Sequence, residues 1–214
     1  MKYYSQEIDC QDYKLHTTVF KDHKNGFFVD VGAYDGETFN NTLFFEENYG
    51  WKGINFEPIP EIFDKLSKRR PNCINYNVAV SDVEGEAEFC CNDMLSGLQS
   101  NYDPRHINRI NDENNQKYNS RVLKVQTRRL DEVLKENGVK RVNYLSIDVE
   151  GAEFSVIKSI NFDEVFIDVI CFENNYQDAS ITIIEYLKEK GYFVIFRGLD
   201  IFMIHNNSEF VNNF

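Results

Sequence analysis

The chain has 214 residues, 42% of them hydrophobic and 14% aromatic, which supplies a core for one folded domain and excludes disordered and collagen-like classes. Its 35 acidic residues outnumber its 23 basic ones, and the net charge of -12 disfavours a nucleic-acid backbone or an anionic membrane as a partner. The five cysteines include no Cys-x-x-Cys pair and the first residues lack a signal-peptide core, so we expect a cytoplasmic protein without a disulfide framework.

Short apolar runs alternate with amphipathic stretches along most of the chain. The strand-like runs lie at 27–31, 53–57, 74–80, 142–148 and 165–172, and the helix-like stretches lie at 38–47, 60–68, 130–137, 151–160 and 180–190. Repeated strand–helix units predict a parallel sheet with helices on both faces, since such strands are buried on both sides. The sequence therefore predicts an α/β fold.

Two regions depart from this alternation. The runs at 191–197 and 199–205 predict an antiparallel hairpin at the edge of the sheet. Residues 86–127 predict an insertion on the substrate side, with strand-like runs at 87–91 and 122–127 around a long polar loop that could act as a lid. Because no linker or repeat interrupts the chain, we expect a single domain over residues 1–214, with an N-terminal helical cap at 1–25.

The sharpest local motif is the turn at residues 29–36, Val-Asp-Val-Gly-Ala-Tyr-Asp-Gly, which directly follows the first predicted strand. Gly32 and Gly36 permit positive φ and the close approach of a ligand at the carboxyl end of that strand, and Asp30 is expected within the turn. The second predicted strand ends at Glu57, where a carboxylate can accept both ribose hydroxyls of an adenosine. The alternative is that the glycines only shape a tight turn and Glu57 is a solvated strand end.

The absence of phosphate-binding motifs narrows the choice of nucleoside. Tyr34 stands where a dinucleotide fingerprint requires glycine, and the sequence has no Gly-x-x-x-x-Gly-Lys-Ser/Thr loop. Both features disfavour a pyrophosphate or triphosphate ligand, because such ligands need backbone N–H groups closing around them. S-adenosylmethionine carries adenosine without phosphate and therefore fits the acidic turn better.

These residues and several further blocks resemble the FkbM-like family of S-adenosylmethionine-dependent methyltransferases over nearly the whole chain. The matching blocks, in family order, are residues 4–6 with Asp9, 25–33 with Asp35-Gly36, 50–53 with Glu57-Pro58, 79–82, 130–131 and 147–153. The last block, Ile-Asp-Val-Glu-Gly-Ala-Glu, is the most specific. The resemblance implies a class I methyltransferase fold, a Rossmann-like three-layer sandwich with a mostly parallel seven-stranded sheet, and often methylation of a hydroxyl on a sugar or sugar-bearing metabolite.

The resemblance also implies a set of residues in contact with the cofactor. Asp30, Gly32 and Glu57 would hold its amino-acid and ribose ends, and Ser81 with Asp82 would line the adenine pocket. Gln6 would reach over the cofactor from the N-terminal segment, although Ser5 beside it could equally be a helix cap. The full implied set is Gln6, Asp30, Gly32, Ala33, Asp35, Gly36, Glu57, Pro58, Ser81, Asp82 and Asp148.

The candidate catalytic residues are Asp148, Glu150 and Glu173, which follow the fourth and fifth predicted parallel strands. A carboxylate within reach of a sugar hydroxyl could accept its proton, which contributes roughly 100-fold to 10,000-fold in rate. Asp148, Glu173 and Asn174 also supply oxygen ligands that suit magnesium. The alternatives are a metal-free site in which Glu173 positions the acceptor and, for Glu153 nearby, a helix cap without a chemical role.

We expect an O-methyltransferase that acts on a hydroxyl of a sugar or glycosylated small molecule. The acidity of the chain argues against an RNA ribose as the acceptor, and no lysine lies at the ends of the fourth and fifth predicted strands. The alternatives that remain open are a methyltransferase acting on another acceptor such as an RNA ribose, a cofactor-binding interaction module without turnover and, more remotely, an oxidoreductase.

Overall fold

The computed structural model describes residues 1–6, 10–92, 95–98, 100, 105, 107–108 and 121–213. Its strands are, in chain order, β1 Phe27–Val31, β2 Lys52–Phe56, β3 Ile74–Tyr76, β4 Ala79–Val80, β5 Gly85–Cys91, β6 Gly97–Leu98, β7 Arg121–Arg128, β8 Arg141–Ile147, β9 Phe166–Glu173, β10 Tyr192–Arg197 and β11 Asp200–His205. Its helices are α1 Gln11–Lys14, which continues as a π-helix over Leu15–Phe20, α2 Leu43–Tyr49, α3 Pro60–Arg69, α4 Leu130–Glu136, α5 Glu153–Lys158 and α6 Gln177–Glu189.

Seven strands form the central sheet in the order β10-β11-β9-β8-β1-β2-β3. Strands β9, β8, β1, β2 and β3 are parallel, whereas β11 runs antiparallel to both β9 and β10. The predicted mostly parallel seven-stranded sheet and its C-terminal antiparallel hairpin are thereby confirmed. Because the carboxyl ends of the parallel strands meet at one edge, the loops that follow them share a crevice.

Helices cover both faces of this sheet, as a three-layer architecture requires. On one face, Phe28 of β1 and Tyr144 of β8 pack with α2 and the π-helix. On the other face, Val29 and Leu145 pack with α4, α5 and α6. Since successive residues of a strand point to opposite faces, a strand enclosed in this way is buried along its length. This explains why β1 is a continuous apolar run interrupted only by Asp30.

The predicted third strand at 74–80 is in fact two short strands that belong to different sheets. β3 pairs with β2, whereas β4 pairs with β7 in a second sheet ordered β4-β7-β5-β6. Between them, Asn77 Nδ2 donates hydrogen bonds to the carbonyl oxygens of Glu57 (2.9 Å) and Pro58 (3.0 Å). These bonds hold the chain at the point where it leaves the central sheet.

The second sheet contains the two strands expected at the borders of the insertion. β5 and β7 pair with each other antiparallel, for example Ala87 with Val125, instead of extending the central sheet. Phe89 and Leu98 pack against Ile59 just before α3. Most of the polar loop between β5 and β7 lies outside the described residues. Its action as a lid and the single-domain organisation therefore stay predictions.

The N-terminal helices differ from their predicted bounds. α2 begins at Leu43 instead of near residue 38, because Asn40 Oδ1 accepts hydrogen bonds from the backbone N–H groups of Thr42 (3.0 Å) and Leu43 (2.8 Å). Within the expected cap at 1–25, helix covers residues 11–20. None of the helices in the described part of the chain has the length and apolarity that a membrane span requires.

Candidate functional site

A cavity opens at the carboxyl ends of β1, β2 and β8, where the central sheet meets the second sheet. The cavity and the open space at its mouth together enclose about 930 Å³. Its walls come from the turn after β1, the loop 38–41, the segments 57–59 and 78–80, and residues 148–150 with Ala152. The predicted site residues that line it are Gln6, Asp30, Gly32, Ala33, Glu57, Pro58, Asp148 and Glu150. The predicted residues that do not line it are Asp35, Gly36, Ser81, Asp82, Glu173 and Asn174.

Gly32 occupies a point where two loop backbones almost touch. Its φ is +91°, and a Cβ atom there would lie 1.9 Å from the carbonyl oxygen of Asp148. The Asp148 N–H donates to the carbonyl oxygen of Val31 (2.9 Å), and the N–H groups of Gly32 and Ala33 donate to that of Phe56 (3.1 and 3.0 Å). Glycine at this position therefore lets the ends of β8, β1 and β2 converge on the cavity.

Asp30 lies on β1 itself instead of within the turn. It is 3% exposed, and its Oδ2 accepts hydrogen bonds from Asn40 Nδ2 (2.9 Å) and Thr42 Oγ1 (2.8 Å). Burial raises the pKa of Asp30, although the positive charge of Arg70 and these two hydrogen bonds oppose the shift. The carboxylate therefore organises the loop that follows β1, and a contact with a ligand would come in addition.

Asp35 and Gly36 shape the same loop from behind the cavity wall. Gly36 has a φ of +80°, and a Cβ atom there would lie 2.8 Å from Arg70 Cγ, so this glycine faces α3. Asp35 Oδ1 accepts hydrogen bonds from the N–H groups of Glu37 (2.9 Å) and Thr38 (2.7 Å). Although partial burial opposes the shift, these bonds lower the pKa of Asp35. Both residues thus fix the loop without entering the lining of the cavity.

Glu57 follows β2 and lines the cavity beside Pro58. The side chain is buried, and its Oε1 accepts a hydrogen bond from the N–H of Ile59 (2.7 Å). Burial raises the pKa of Glu57 to about 7, although backbone hydrogen bonds from Ile59 and Tyr34 oppose the shift. Since each carboxylate oxygen has two lone pairs, Glu57 retains capacity to accept hydrogen bonds from ligand hydroxyls. A ribose site requires this capacity.

Ser81 and Asp82, which the resemblance assigns to an adenine pocket, contact α5 instead. Ser81 Oγ lies 3.2 Å from Ser155 Oγ, and Asp82 Oδ2 accepts a hydrogen bond from Lys158 Nζ at 2.5 Å. Because β4 has left the central sheet, the cavity is lined by the preceding residues 78–80, which are Val, Ala and Val. This end of the cavity therefore offers apolar contacts.

Three carboxylates meet where β8 and β9 end. One oxygen each of Asp148, Glu150 and Glu173 lies within 4.8 Å of the others. Burial, and then the charges of Glu150 and Asp200, raise the pKa of Asp148 well above its usual range. Burial, and then the charge of Asp148, do the same for the pKa of Glu173. Such a cluster can hold a proton to a higher pH than an isolated carboxylate does, or provide oxygen ligands to a hard cation.

Asn174, the third predicted magnesium ligand, is hydrogen-bonded to the hairpin through both of its nitrogen atoms, while its Oδ1 is buried without a hydrogen-bond partner in the described structure. Its Nδ2 donates to the carbonyl oxygen of Gly198 (2.9 Å) and its backbone N–H donates to that of Leu199 (2.7 Å), so the residue belongs to the turn of the hairpin. The next residue, Asn175, donates from Nδ2 to Glu173 Oε2 (2.6 Å). Glu150 therefore joins Asp148 and Glu173 as a third carboxylate. The role of Asn174 as a magnesium ligand stays a prediction.

Gln6 lines the cavity from the N-terminal segment. The residues before it are held by the fully buried Asp12, whose Oδ2 accepts hydrogen bonds from the N–H groups of Tyr4 (2.6 Å) and Ser5 (3.3 Å). Ser5 Oγ accepts a hydrogen bond in return from the Asp12 N–H (3.1 Å). Ser5 thus satisfies one N–H group in the first turn of α1 from outside the helix, whose N-cap residue is Cys10. Gln6 faces the cavity.

Several residues of the site lacked a clear signal in the sequence. In loop 38–41, Asn41 Nδ2 donates to Ser146 Oγ on β8 (3.2 Å), and the only local cue is that Asn-Asn-Thr suits a helix start. Asp200 lies opposite Glu173 in the antiparallel register of β11 and β9. The alternation of apolar and polar residues along a strand does not reveal its register with a neighbour, so the sequence did not predict that Asp200 lies at the site.

Three of the six non-glycine residues with positive φ in the described structure lie around the cavity. Tyr34, Phe39 and Glu150 line it and have φ values of 50°, 50° and 52°. For residues other than glycine such conformations cost roughly 1–3 kcal/mol and persist only where surrounding contacts enforce them. Phe39 is also 49% exposed, so an apolar ring stands at the cavity wall. Strained residues of this kind cluster at binding and catalytic sites.

Comparisons with known proteins show which family the chain belongs to. A family model described as the Methyltransferase FkbM domain matches residues 30–194. A curated relative, the methyltransferase sdnD of Sordaria araneosa, is 27% identical over 202 residues, which covers 75% of this chain and 73% of the relative.

A solved structure, the precorrin-6y C5,15-methyltransferase from Geobacter metallireducens GS-15, is similar with a TM-score of 0.50 and 11% identity over 95% of this chain and 91% of that one. At this identity the likeness concerns the fold, which is that of the class I methyltransferases. The family match concerns activity, namely methyl transfer, and implies S-adenosylmethionine as the methyl donor. Because the family model spans most of its length, the chain belongs to the FkbM family of methyltransferases.

Proposed function

We propose that the protein transfers the methyl group of S-adenosylmethionine to a hydroxyl of a sugar or a glycosylated small molecule. The observation that carries this proposal is that one cavity joins the Gly32 and Glu57 walls to the wall with Asp148 and Glu150. The walls with Gly32 and Glu57 suit an adenosine, and the wall with Asp148 and Glu150 suits an acceptor group that gives up a proton. When bound, S-adenosylmethionine supplies an electrophilic methyl group on a sulfonium sulfur.

The residues present fit this methyl donor. Glu57 is a buried carboxylate for the ribose hydroxyls, and the apolar residues 78–80 suit an adenine ring. Gly32 leaves backbone exposed at the cavity wall where a side chain would collide with Asp148, and Gln6 closes the same wall from the N-terminal segment. We assign Glu57 to the ribose, residues 78–80 to the adenine, and Gln6 and Gly32 to the amino-acid end.

The chemistry then depends on alignment and on proton removal. Methyl transfer is an in-line displacement, so most of the acceleration comes from holding the acceptor oxygen collinear with the methyl carbon and sulfur. A sugar hydroxyl is a weak nucleophile until it loses its proton, and a carboxylate base contributes roughly 100-fold to 10,000-fold. We assign the base to Asp148, because it lines the cavity and burial raises its pKa above that of an ordinary aspartate, which makes it a stronger base.

The electrostatics of the crevice favour a neutral acceptor. The chain has a net charge of -12, and Asp148, Glu150 and Glu173 place three carboxylates beside the proposed acceptor position. A phosphate-rich acceptor such as RNA would meet repulsion there, whereas a sugar would meet hydrogen-bond acceptors. This supports a carbohydrate hydroxyl over an RNA ribose.

Calorimetric titration with S-adenosylmethionine and S-adenosylhomocysteine, with NAD as the control, tests the first half of the proposal. Transfer of labelled methyl to a panel of glycosides and glycosylated small molecules tests the second half, with Asp148→Asn as the inactive control. Binding of both adenosyl ligands and transfer to a sugar support the proposal. Binding without transfer to any acceptor would favour an interaction module, and no binding by the wild type would refute the proposed function.

We also propose the acidic crevice as the place where a divalent cation such as magnesium would assist the reaction. The observation that favours it is the approach of the Asp148, Glu150 and Glu173 oxygens to within 4.8 Å of one another. A bound cation would lower the pKa of the acceptor hydroxyl. Loss of methyl transfer in EDTA and its recovery with magnesium would support this role, and full activity in EDTA would reject it.

A further inference from the structure

Arg70 is a buried cation directly after α3. Its side chain is 0% exposed and does not belong to the lining of the cavity. Burying a guanidinium group is costly unless its charge is paired and its N–H groups are hydrogen-bonded. The partners of Arg70 therefore indicate which part of the structure it stabilises.

In the described structure, the hydrogen-bond partners of the Arg70 side chain all lie in the segment 36–46 that follows β1. Nη1 donates to Asn40 Oδ1 (3.0 Å) and to the carbonyl oxygen of Gly36 (3.5 Å), and Nη2 donates to Thr42 Oγ1 (3.2 Å). Nε donates to the carboxylate of Glu46 on α2. One side chain thus joins α3 to both ends of the loop 36–42 and to the helix after it.

Asn40 connects these contacts to the cavity wall. While its Oδ1 accepts the hydrogen bond from Arg70, its Nδ2 donates to Asp30 Oδ2 (2.9 Å) and to the carbonyl oxygen of Ala33 (3.3 Å). Asn40, Asp30 and Ala33 all line the cavity. A displacement of Arg70 would therefore also displace Asn40, which is itself part of the cavity wall.

The stem of Arg70 also fills the space behind the turn. A Cβ atom at Gly36 would lie 2.8 Å from Arg70 Cγ, and Arg70 Cζ lies 5.2 Å from the centre of the Phe28 ring. Lysine would retain the charge, but its single ammonium group could not reproduce hydrogen bonds directed from three guanidinium nitrogens. The contacts thus depend on the shape of arginine as well as on its charge.

We propose that Arg70 is a positioning residue for the methyl donor, which holds loop 36–42 and Asn40 in the conformation that binds the donor without touching it. The inference rests on the proposed function. Its physical basis is preorganisation, since a loop already fixed in its binding conformation loses less entropy when the ligand binds. Arg70 would therefore contribute to the affinity for the donor in addition to the stability of the fold.

The test compares the affinity of Arg70 variants for S-adenosylhomocysteine with their thermal stability. We expect Arg70→Lys to raise the Kd roughly tenfold, as the loss of a hydrogen bond to a charged group does, and Arg70→Ala to raise it further. Millimolar guanidinium chloride should restore part of the affinity of Arg70→Ala, because the ion fits the space the side chain leaves, and should leave the wild-type Kd unchanged.

Arg141→Met is the matched control. Arg141 also forms a charged pair with a fully buried acid, donating from Nε (2.9 Å) and Nη2 (2.8 Å) to Asp168, but it lies at the start of β8, away from the cavity. We expect this variant to lower the Tm and leave the Kd within about twofold. Equal loss of affinity in Arg70→Lys and Arg141→Met would show a purely structural role and overturn the inference.

The outcomes separate this inference from the proposed function. If the wild type binds S-adenosylhomocysteine and Arg70→Lys binds it equally well, the positioning role is wrong and the proposed function stands. If the wild type does not bind, both are wrong. Should Arg70→Ala fail to fold, Arg70→Lys decides the matter, because it keeps the charge and most of the stem.

Discussion

Asp148 directly follows β8, Glu173 is the last residue of the neighbouring parallel strand β9, and one carboxylate oxygen of each lies within 4.8 Å of the other. Two carboxylates this close in a partly enclosed site cannot both ionise easily, and burial raises the pKa of each. The pair therefore holds a proton to a higher pH than either group would alone. The site thus stores electrostatic strain that the fold must offset elsewhere.

We expect Asp148→Asn to raise the Tm at alkaline pH and to lower turnover. A carboxyl whose pKa is raised on folding contributes its stability below its unfolded pKa and loses it as the pH rises through the folded pKa. Removing the charge should therefore stabilise the protein increasingly as the pH rises above about 4, the ordinary pKa of an aspartate, and change little below that value. A gain of about 1 kcal/mol corresponds to roughly 2–4 °C, and turnover should fall about 100-fold or more. Full turnover, or a lower Tm at the alkaline pH, would contradict this assignment.

Glu57 makes donor binding depend on pH. Its pKa is about 7, and the ionised form accepts stronger hydrogen bonds from ribose hydroxyls than the protonated form. Affinity for S-adenosylhomocysteine should therefore fall as the pH drops through this value, by about tenfold between pH ~8 and pH ~6. Calorimetry at several pH values measures the effect. Glu57→Gln should bind more weakly at alkaline pH with a flat profile, and an equally steep profile in this variant would assign the proton to another group.

Gly32→Ala should disrupt the site far more than an alanine at another glycine with positive φ. At Gly32 a Cβ atom would lie 1.9 Å from the Asp148 carbonyl oxygen, whereas at Gly138, with a φ of +68°, the described structure has nothing within 4 Å of it. We expect Gly138→Ala to lower the free energy of unfolding by about 1–2 kcal/mol, because of its backbone conformation alone, and to retain donor binding. Gly32→Ala should lower the free energy of unfolding, measured in urea, by more than this and should abolish donor binding. Equal costs for the two variants would show that the contact at Gly32 relaxes freely.

Asp82→Asn should affect stability and leave the affinity for the donor within about twofold. Asp82 pairs with Lys158 and does not line the cavity, so its loss removes a partly exposed ion pair that contributes about 1 kcal/mol or less. Urea unfolding and calorimetry with S-adenosylhomocysteine measure the two effects. If Asp82→Asn raised the Kd as much as Glu57→Gln does, Asp82 would have to contact the donor, as the family resemblance implies.

The elements that were predicted well are those whose signal is local. The strand β1 and the glycine turn after it are specified by consecutive residues, because burial on both faces requires an apolar run and Gly32 requires a positive φ. Glu57 was placed at the cavity for a similar reason, since β2 ends next to β1 in any sheet of this topology. Its role in ribose binding stays a prediction.

The start of α2 differs from the prediction because residues distant in sequence fix the side chain of Asn40, which accepts a hydrogen bond from the first helical N–H group. A helical period over 38–47 is present in the sequence, but the bonds that Asn40 makes to Asp30 and Arg70 hold residues 36–42 in a loop. Tertiary contacts of this kind override local propensity. The residues that line the cavity from this loop were missed for the same reason.

The sequence by itself determined the α/β class, the order of strands and helices, and the turn that brings a carboxylate and two glycines to one strand end, because each depends on the period of neighbouring side chains. Only the tertiary structure decided which polar residues face the cavity. The switch of sheets around Asn77 turns Ser81 and Asp82 toward α5, and the hairpin turns Asn174 toward Gly198. The tertiary structure also brings Arg70 to Asn40 and Glu150 to Asp148, because packing between distant segments determines the strand register and the helix positions.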